Sequence, residues 1–184
     1  MLRLLICLLF VVGISPHIYA QELYSTLKGE VYFKSDAPLE LIEARSTELQ
    51  GIIDADKLTF AFAVRMQSFQ GFNSPLQREH FNENYLESKS FPRSTFVGKI
   101  IENVDFSKNG EFTIRAKGTF TIHGIEQERI IKSNVVVKDG VLSINSEFTV
   151  LLEEHDIDIP RIVNQKISEE IYVKIEAEFS RKKV

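Results

Sequence analysis

The three adjacent side chains Arg78, Glu79 and His80 form the cluster with the most potential for chemistry. An arginine close to a histidine could hold a phosphate or pyrophosphate head group, because a guanidinium group offers paired hydrogen-bond donors. The same cluster could instead belong to a helical plug at one end of the fold, with Arg78 and Glu79 pairing to hold it in place. A hydrolase that uses Glu79 or His80 is a third interpretation, but no catalytic motif in the sequence favours it.

The other residues of metal-ligand type do not have metal-binding spacing. His80, His123 and His155 lie far apart in the sequence and form no H-x-H or HExxH pattern. The segment 153–158 is rich in carboxylates but lacks the glycine and the terminal glutamate of a calcium-binding loop. We therefore expect no metal and no cofactor, a solvated acidic loop at 153–158, and a solvated turn residue at His123.

The segment 1–20 is typical of a secretory signal peptide. It combines a basic start at Arg3, an uninterrupted apolar run and a small residue, Ala20, at the predicted cleavage position. The apolar run of about 11 residues is too short for a helix that spans a bilayer, which needs roughly 20. We therefore expect residues 21–184 to form one domain without a stable membrane anchor, periplasmic or secreted.

The composition argues against several kinds of protein. The chain has 184 residues, a formal net charge of −4 and a single cysteine, Cys7, which lies inside the signal segment. The acidic balance argues against a nucleic acid or an anionic membrane as partner. Without a further cysteine, the domain has no disulfide and no thiolate metal site. Its stability must come from a core, and the chain supplies 14 phenylalanines and no tryptophan.

Apolar and polar residues alternate along most of the chain, as they do in strands with one dry and one wet face. In the stretch 112–122 the even positions are Phe, Ile, Ala, Gly, Phe and Ile, whereas the odd positions are Thr, Arg and Lys. The dipeptides Asn109-Gly110, His123-Gly124 and Asp139-Gly140 predict tight hairpin turns between such strands. The predicted strands lie near 24–34, 44–53, 57–68, 94–105, 111–122, 126–138, 141–153 and 168–181.

Eight long strands predict an all-β fold, namely an eight-stranded antiparallel barrel. A short helix is predicted near residues 75–82, because Ser74 is a suitable N-cap and Pro75 a suitable first helical residue. The inward faces of the strands are rich in phenylalanine. The pattern leaves open whether these side chains fill the barrel or line a cavity.

Two segments resemble the YceI-like family. The first is REHFNENYLESKSFP at 78–92, with a His followed by an apolar residue, an apolar pair before an acidic residue, and an aromatic-Pro pair before a strand. The second is GTFTIHGI at 118–125, an alternating strand between glycines. One departure is that Arg78 and Glu79 directly precede His80, whereas family members usually have Arg-Asp two residues earlier. True lipocalins are less similar, because their Gly-x-Trp signature requires a tryptophan.

The resemblance implies a lipocalin-like barrel that binds a polyisoprenoid or similar long-chain amphiphilic lipid in an apolar cavity, without catalysis. A lipid head group would then lie at the mouth, near Arg78 and His80. The alternative is a structural or interaction module with a filled barrel and no ligand. The oligomeric state stays open. The predicted cavity residues are Phe33, Phe60, Phe62, Phe96, Ile114, Phe120, Phe148 and Ile175.

Overall fold

A computed structural model describes residues 22–182, so the predicted signal peptide 1–20 lies outside the described residues. The described chain folds into antiparallel strands that follow one another in space from β3 to β9. The strands are β1 (Leu23–Asp36), β2 (Leu41–Ser46), β3 (Gln50–Asp54), β4 (Thr59–Arg65), β5 (Arg93–Ile100), β6 (Gly110–Ile122), β7 (Ile125–Lys138), β8 (Val141–Leu151) and β9 (Glu170–Arg181).

The segments β2 and β3 act as one interrupted barrel strand. Both segments pair with β1. The segment β2 pairs with the C-terminal half of β1, and β3 pairs with the N-terminal end of β1. The offset that aligns Val31 with Ser46 also aligns Ser25 with Ile52, so the register is continuous across the break. On its other edge β1 pairs with β9 from Tyr24 to Lys34. The predicted eight-stranded antiparallel barrel is therefore confirmed, and it is closed.

The alternating sequence places apolar side chains inside and polar ones outside, as the stretch 112–122 illustrates. In β6 the inward Ile114, Ala116 and Phe120 are buried, whereas Arg115 and Lys117 are exposed. Two predicted turns have the left-handed backbone that tight hairpins need: φ is 52° and 75° at His123-Gly124, and 51° and 78° at Asp139-Gly140. Most strands thus form where the period of two predicts them, but the prediction of one strand at 44–53 is wrong, because β2 and β3 lie there with a break at 47–49.

The prediction around Asn109-Gly110 is wrong. Strand β5 ends at Ile100 instead of 105, and Gly110 is the first residue of β6 rather than part of a turn. Residues 101–109 form a longer loop in which the side chain of Phe106 is 2 % exposed. The loop forms because Phe106 packs under one end of the barrel, where the Tyr24 hydroxyl donates a hydrogen bond to its carbonyl over 3.3 Å.

The two ends of the barrel differ. At the end closed by Phe106, the side chains of Tyr24, Leu142 and Phe179 are completely or almost completely buried. The opposite end, here called the mouth, has the predicted short helix α1 (Pro75–His80), which continues into one π turn at Phe81–Tyr85. The Ser74 hydroxyl caps α1 by accepting a hydrogen bond from the main-chain amide of Gln77 over 3.1 Å. This segment lies across the mouth instead of continuing the sheet.

Near the mouth, β7 and β8 separate. Their ladder extends only from Lys138 and Val141 to Ser133 and Ser146. A 3₁₀ turn at Leu152–His155 fills the gap that opens beyond this point. Its main-chain carbonyl at Glu154 accepts a hydrogen bond of 2.7 Å from Gln127 of β7. We call this turn the wedge.

The wedge contradicts the prediction of a solvated loop at 153–158. His155 is fully buried, and Ile157 is 4 % exposed. The His155 Nδ1 atom lies 3.3 Å from the Ile125 carbonyl, and its Nε2 atom is buried without a hydrogen-bond partner among the described residues. The prediction missed this packing because it was based on the number of carboxylates, and the buried His155 and Ile157 alternate with exposed acidic residues.

His123 is not a solvated turn residue either. Its side chain is 13 % exposed, and its ring packs edge-on against Phe91 with 4.8 Å between centroids. The Nδ1 atom lies 3.1 Å from the His155 carbonyl. The β6–β7 turn is therefore tied both to the wedge and to the segment that precedes β5.

The burial of His155 predicts an acid-sensitive fold. Desolvation lowers the pKa of His155 below its ordinary value of 6.5; Arg129 lowers it further, and Glu154 opposes the shift. The unfolded chain therefore takes up the proton more readily than the folded chain. The stabilising contribution is complete above about pH 6.5, the pKa of the unfolded chain, and is lost as the pH falls from there through the lowered pKa of the folded chain.

We expect the melting temperature of the wild type to fall more steeply than that of His155→Gln between about pH 7.5 and 5.5. The glutamine stays neutral throughout this range, so it removes the titration. His80→Gln is the matched control, because it makes the same substitution at an exposed position of the mouth. Equal slopes for wild type and His155→Gln in thermal melts would contradict the prediction.

Candidate ligand cavity

The barrel encloses a cavity of about 460 Å³ that opens at the mouth. This volume falls within the range of roughly 300–1,000 Å³ that is usual for small-molecule sites. Its walls are mostly aliphatic and aromatic. The inward side chains of β1, β8 and β9 contribute, among them Phe33, Phe148, Val150, Ile171, Val173 and Ile175.

Side-chain burial follows the cavity. Toward the closed end, the inward residues Phe179, Ala177 and Leu142 are buried by one another. Toward the mouth, inward residues such as Phe33, Phe148 and Val173 are only half-buried, because their inner surfaces face the open volume. The same strands thus provide a packed core at one end and a hollow at the other.

An aromatic cluster borders the hollow beneath the mouth segment. Phe33 of β1 stacks on Phe81 of the π turn, with 5.4 Å between ring centroids. Phe69 and Phe72 complete the cluster, at 5.4 Å and 5.9 Å from Phe33. Sequence reasoning missed Phe69, Phe72 and Phe81 because they lie outside the strands, where no period of two marks an inward face.

The eight predicted cavity residues all line enclosed space, but they divide between two volumes. Phe33 and Phe120 line the large cavity, whereas Phe60 and Ile114 line a separate cavity of about 50 Å³ near the closed end. The remaining members border both volumes: Phe62, Phe96, Phe148 and Ile175. Their contact with a ligand stays a prediction.

Arg78 and His80 have different surroundings. The Arg78 guanidinium donates hydrogen bonds to the main-chain carbonyls of Phe69, over 3.1 Å, and Gln67, over 2.8 Å. Arg78 therefore holds α1 against the chain that follows β4, and it is not among the cavity-lining residues. These contacts favour an anchoring role for Arg78, with main-chain carbonyls as partners in place of Glu79, and a head-group role for Arg78 stays a prediction. His80 is exposed and lines the large cavity.

The polar groups at the cavity mouth include one that the sequence did not indicate. Lys166 lines the cavity together with His80, and neither side chain has an ion pair within residues 22–182. Glu40 and Gln77 also line the mouth, but they bind each other: the side-chain amide of Gln77 donates a hydrogen bond of 2.9 Å to the Glu40 carboxylate. Lys166 lies in the irregular segment before β9, so no strand pattern could place it.

The described residues contain no cluster of three or more His, Cys, Asp or Glu side chains that could hold a metal ion. Among helices in the same part of the chain, none is both long and apolar enough to cross a membrane. The large cavity, with its apolar walls and a mouth lined by Lys166, His80 and Glu40, is thus the strongest candidate for a functional site. Such an arrangement suits a ligand with a long apolar part and a polar end.

Solved structures with a similar fold include three bacterial proteins. A polyisoprenoid binding domain from Saccharophagus degradans, implicated in plant cell wall breakdown, has a TM-score of 0.74 at 14% identity, covering 86% of this chain and 98% of that one. BcnA from Burkholderia cenocepacia has a TM-score of 0.67 at 13% identity, with coverages of 82% and 95%. A YCEI protein from Campylobacter jejuni has a TM-score of 0.58 at 14% identity, with coverages of 78% and 86%.

Sequence comparison gives the family assignment. No curated protein matches this chain significantly in sequence. The sequence model of the YceI-like domain, in contrast, matches residues 25–179, which includes nearly all of the barrel from β1 to β9. The closed barrel agrees with that match, and the chain belongs to the YceI-like family.

Proposed function

We propose that this protein is an exported, non-catalytic binding protein that holds a polyisoprenoid or a similar long-chain amphiphilic lipid in the large cavity. The main observation in support of this proposal is the apolar cavity of about 460 Å³ that opens at the mouth. Membership of the YceI-like family and the fold shared with a polyisoprenoid binding domain support the choice of ligand class. The signal-like segment 1–20 supports export to a periplasm or out of the cell.

A filled barrel without a ligand is less consistent with these observations. Such a module would pack its phenylalanines to the density of a protein interior. At the mouth end, instead, half-buried Phe33, Phe148 and Val173 face open volume. A long apolar chain would cover these surfaces, and burial of apolar area is the main favourable contribution to such binding.

Organic extraction of protein purified from its native host, followed by mass spectrometry, tests the ligand class directly. We expect a long-chain lipid in the extract, and we expect the stripped protein to bind an added fluorescent polyprenol. A protein that yields no lipid and does not bind the added polyprenol would contradict the proposal.

The variant Val173→Trp distinguishes a hollow barrel from a filled one. In a hollow barrel the indole occupies ligand volume, so we expect polyprenol affinity to fall at least about tenfold, or 1.4 kcal/mol, with little change in stability. In a filled barrel, overpacking would destabilise the fold by about 1–3 kcal/mol. Val136→Trp is the matched control, because Val136 is exposed on the outer face of β7. Polyprenol titration of both variants measures the affinity, and denaturant unfolding measures the stability.

The head group of the ligand is proposed to lie between His80 and Lys166. The double substitution His80→Ala, Lys166→Ala should weaken binding of a polyprenyl phosphate by about tenfold or more, because it removes charge-assisted donors. It should change the affinity for the uncharged polyprenol of equal length little. Lys132→Ala, at an exposed position of β7, is the charge-matched control. Equal losses for phosphate and alcohol in the double variant would rule out this head-group site.

Arg78→Ala provides a further comparison. Its guanidinium holds α1 through two main-chain carbonyls, so its loss should loosen the mouth segment. We therefore expect a lower melting temperature, together with similar losses for the phosphate and the alcohol. A selective loss for the phosphate would instead assign the head group to Arg78.

A further inference from the structure

The interior of the barrel is divided into two compartments by a partition. The large cavity of about 460 Å³ lies on the mouth side, and the small cavity of about 50 Å³ lies on the closed side. Leu49, Phe62, Phe96, Phe148 and Ile175 line both volumes, so they form the partition. A linear ligand that enters at the mouth would meet this partition before it reached the closed end.

Phe62 is the partition residue whose position is set by the opposite backbone. The ladder pairs it with Gly51 of β3, which occupies an inward position between Leu49 and Ile53. A Cβ atom on Gly51 would lie 2.4 Å from the Phe62 Cδ1 atom and 2.7 Å from its Cε1 atom. Such contacts are far below ordinary van der Waals separations, so the ring fills the space that a side chain at 51 would need.

Other aromatic rings hold Phe62 from the closed side. Its ring stacks on Phe60 with 5.2 Å between centroids, and it meets Phe179 at 5.6 Å. On the mouth side Phe62 faces the large cavity. The larger open volume beside the ring is therefore on the mouth side, where a ligand would lie.

The small cavity beyond Phe62 is suited to the apolar end of a chain. Its lining is aliphatic and aromatic apart from the hydroxyls of Ser133 and Ser146. These hydroxyls are buried and bind each other over 2.6 Å, so they do not require a polar group from a ligand. Removing the partition would extend the apolar channel without exposing an unsatisfied polar atom.

We propose that Phe62, seated on Gly51, is the specificity residue that limits how deeply a linear lipid enters and so sets the chain length that this barrel prefers. The inference rests on the proposed binding of a long-chain lipid in the large cavity. The physical basis is as simple as the length of the lipid. While the Phe62 ring closes the way to the small cavity, a lipid longer than the large cavity cannot bury any more of its apolar surface. We expect a shorter side chain at position 62 to widen the passage between the two volumes, which Leu49, Phe96, Phe148 and Ile175 also border.

The test measures affinity for a series of linear polyprenols of increasing length. In Phe62→Ala and the milder Phe62→Leu, we expect the best length to shift upward. The longest alcohols should bind about tenfold more tightly than to the wild type, the gain from burying about two more methylene-sized groups. In Gly51→Ala, the added methyl group pushes the ring toward the mouth, so the best length should shift downward.

The matched control is Phe33→Leu, the same truncation at the mouth end of the large cavity. It should weaken all lengths to a similar degree and leave the preferred length unchanged. If the wild type binds polyprenols but its length preference is the same in the Phe62 and Gly51 variants, the role of Phe62 is overturned. A wild type that binds no member of the series contradicts the proposed function itself, and the two failures are therefore distinguishable.

Discussion

The antiparallel ladder between β1 and β9 is the interaction on which the rest of the structure depends. It joins the first and last strands from Tyr24 to Lys34 and so turns a sheet with two free edges into a closed wall. Without it, the inward phenylalanines would face solvent instead of one another or a cavity. The ladder also explains why β1 is long: it must pair with β9 on one edge and with both β2 and β3 on the other.

The closed wall is used differently at its two ends. Loop residue Phe106 and the hydrogen-bonded Tyr24 seal one end, and the barrel packs tightly there. At the other end, the helical segment anchored by Arg78 and the wedge around His155 brace the rim without filling the interior. A hollow of usable size therefore results from where the loops pack, because the strands themselves are similarly apolar at both ends.

The strands could be predicted from the sequence because their period of two is continuous and their hairpin turns have distinctive residues. The break between β2 and β3 could not, because it moves the inward face from even positions, such as Ala44, to odd ones, such as Ile53. Alternation across 44–53 therefore concealed a change of phase. The bulge of β1 between Thr26 and Lys28 compensates for this change in the neighbouring strand.

Among the predicted residues that line the large cavity, all but His80 lie on strands. Phe33, Phe62 and Phe148 were found from alternation, whereas Phe69, Phe81 and Lys166 lie in irregular segments whose inward direction depends on tertiary packing. Arg78 stays a predicted head-group residue, but two of its donors bind main-chain carbonyls, a use that its residue type did not indicate. The alternation along each strand identifies the residues of the barrel wall, whereas tertiary contacts decide which residues of the irregular segments face the cavity.

The separation of β7 and β8 gives the barrel wall a mechanical asymmetry. Between most neighbouring strands, widening the mouth would break ladder hydrogen bonds between main-chain groups. Along the wedge, by contrast, the two sides are joined by side chains, including the Gln127 amide on the Glu154 carbonyl and the Arg129 guanidinium on the Glu154 carboxylate at 2.7 Å. Closure of the wall between β7 and β8 near the mouth therefore depends on which side chains are present, whereas along a ladder it depends on main-chain groups that nearly every residue carries.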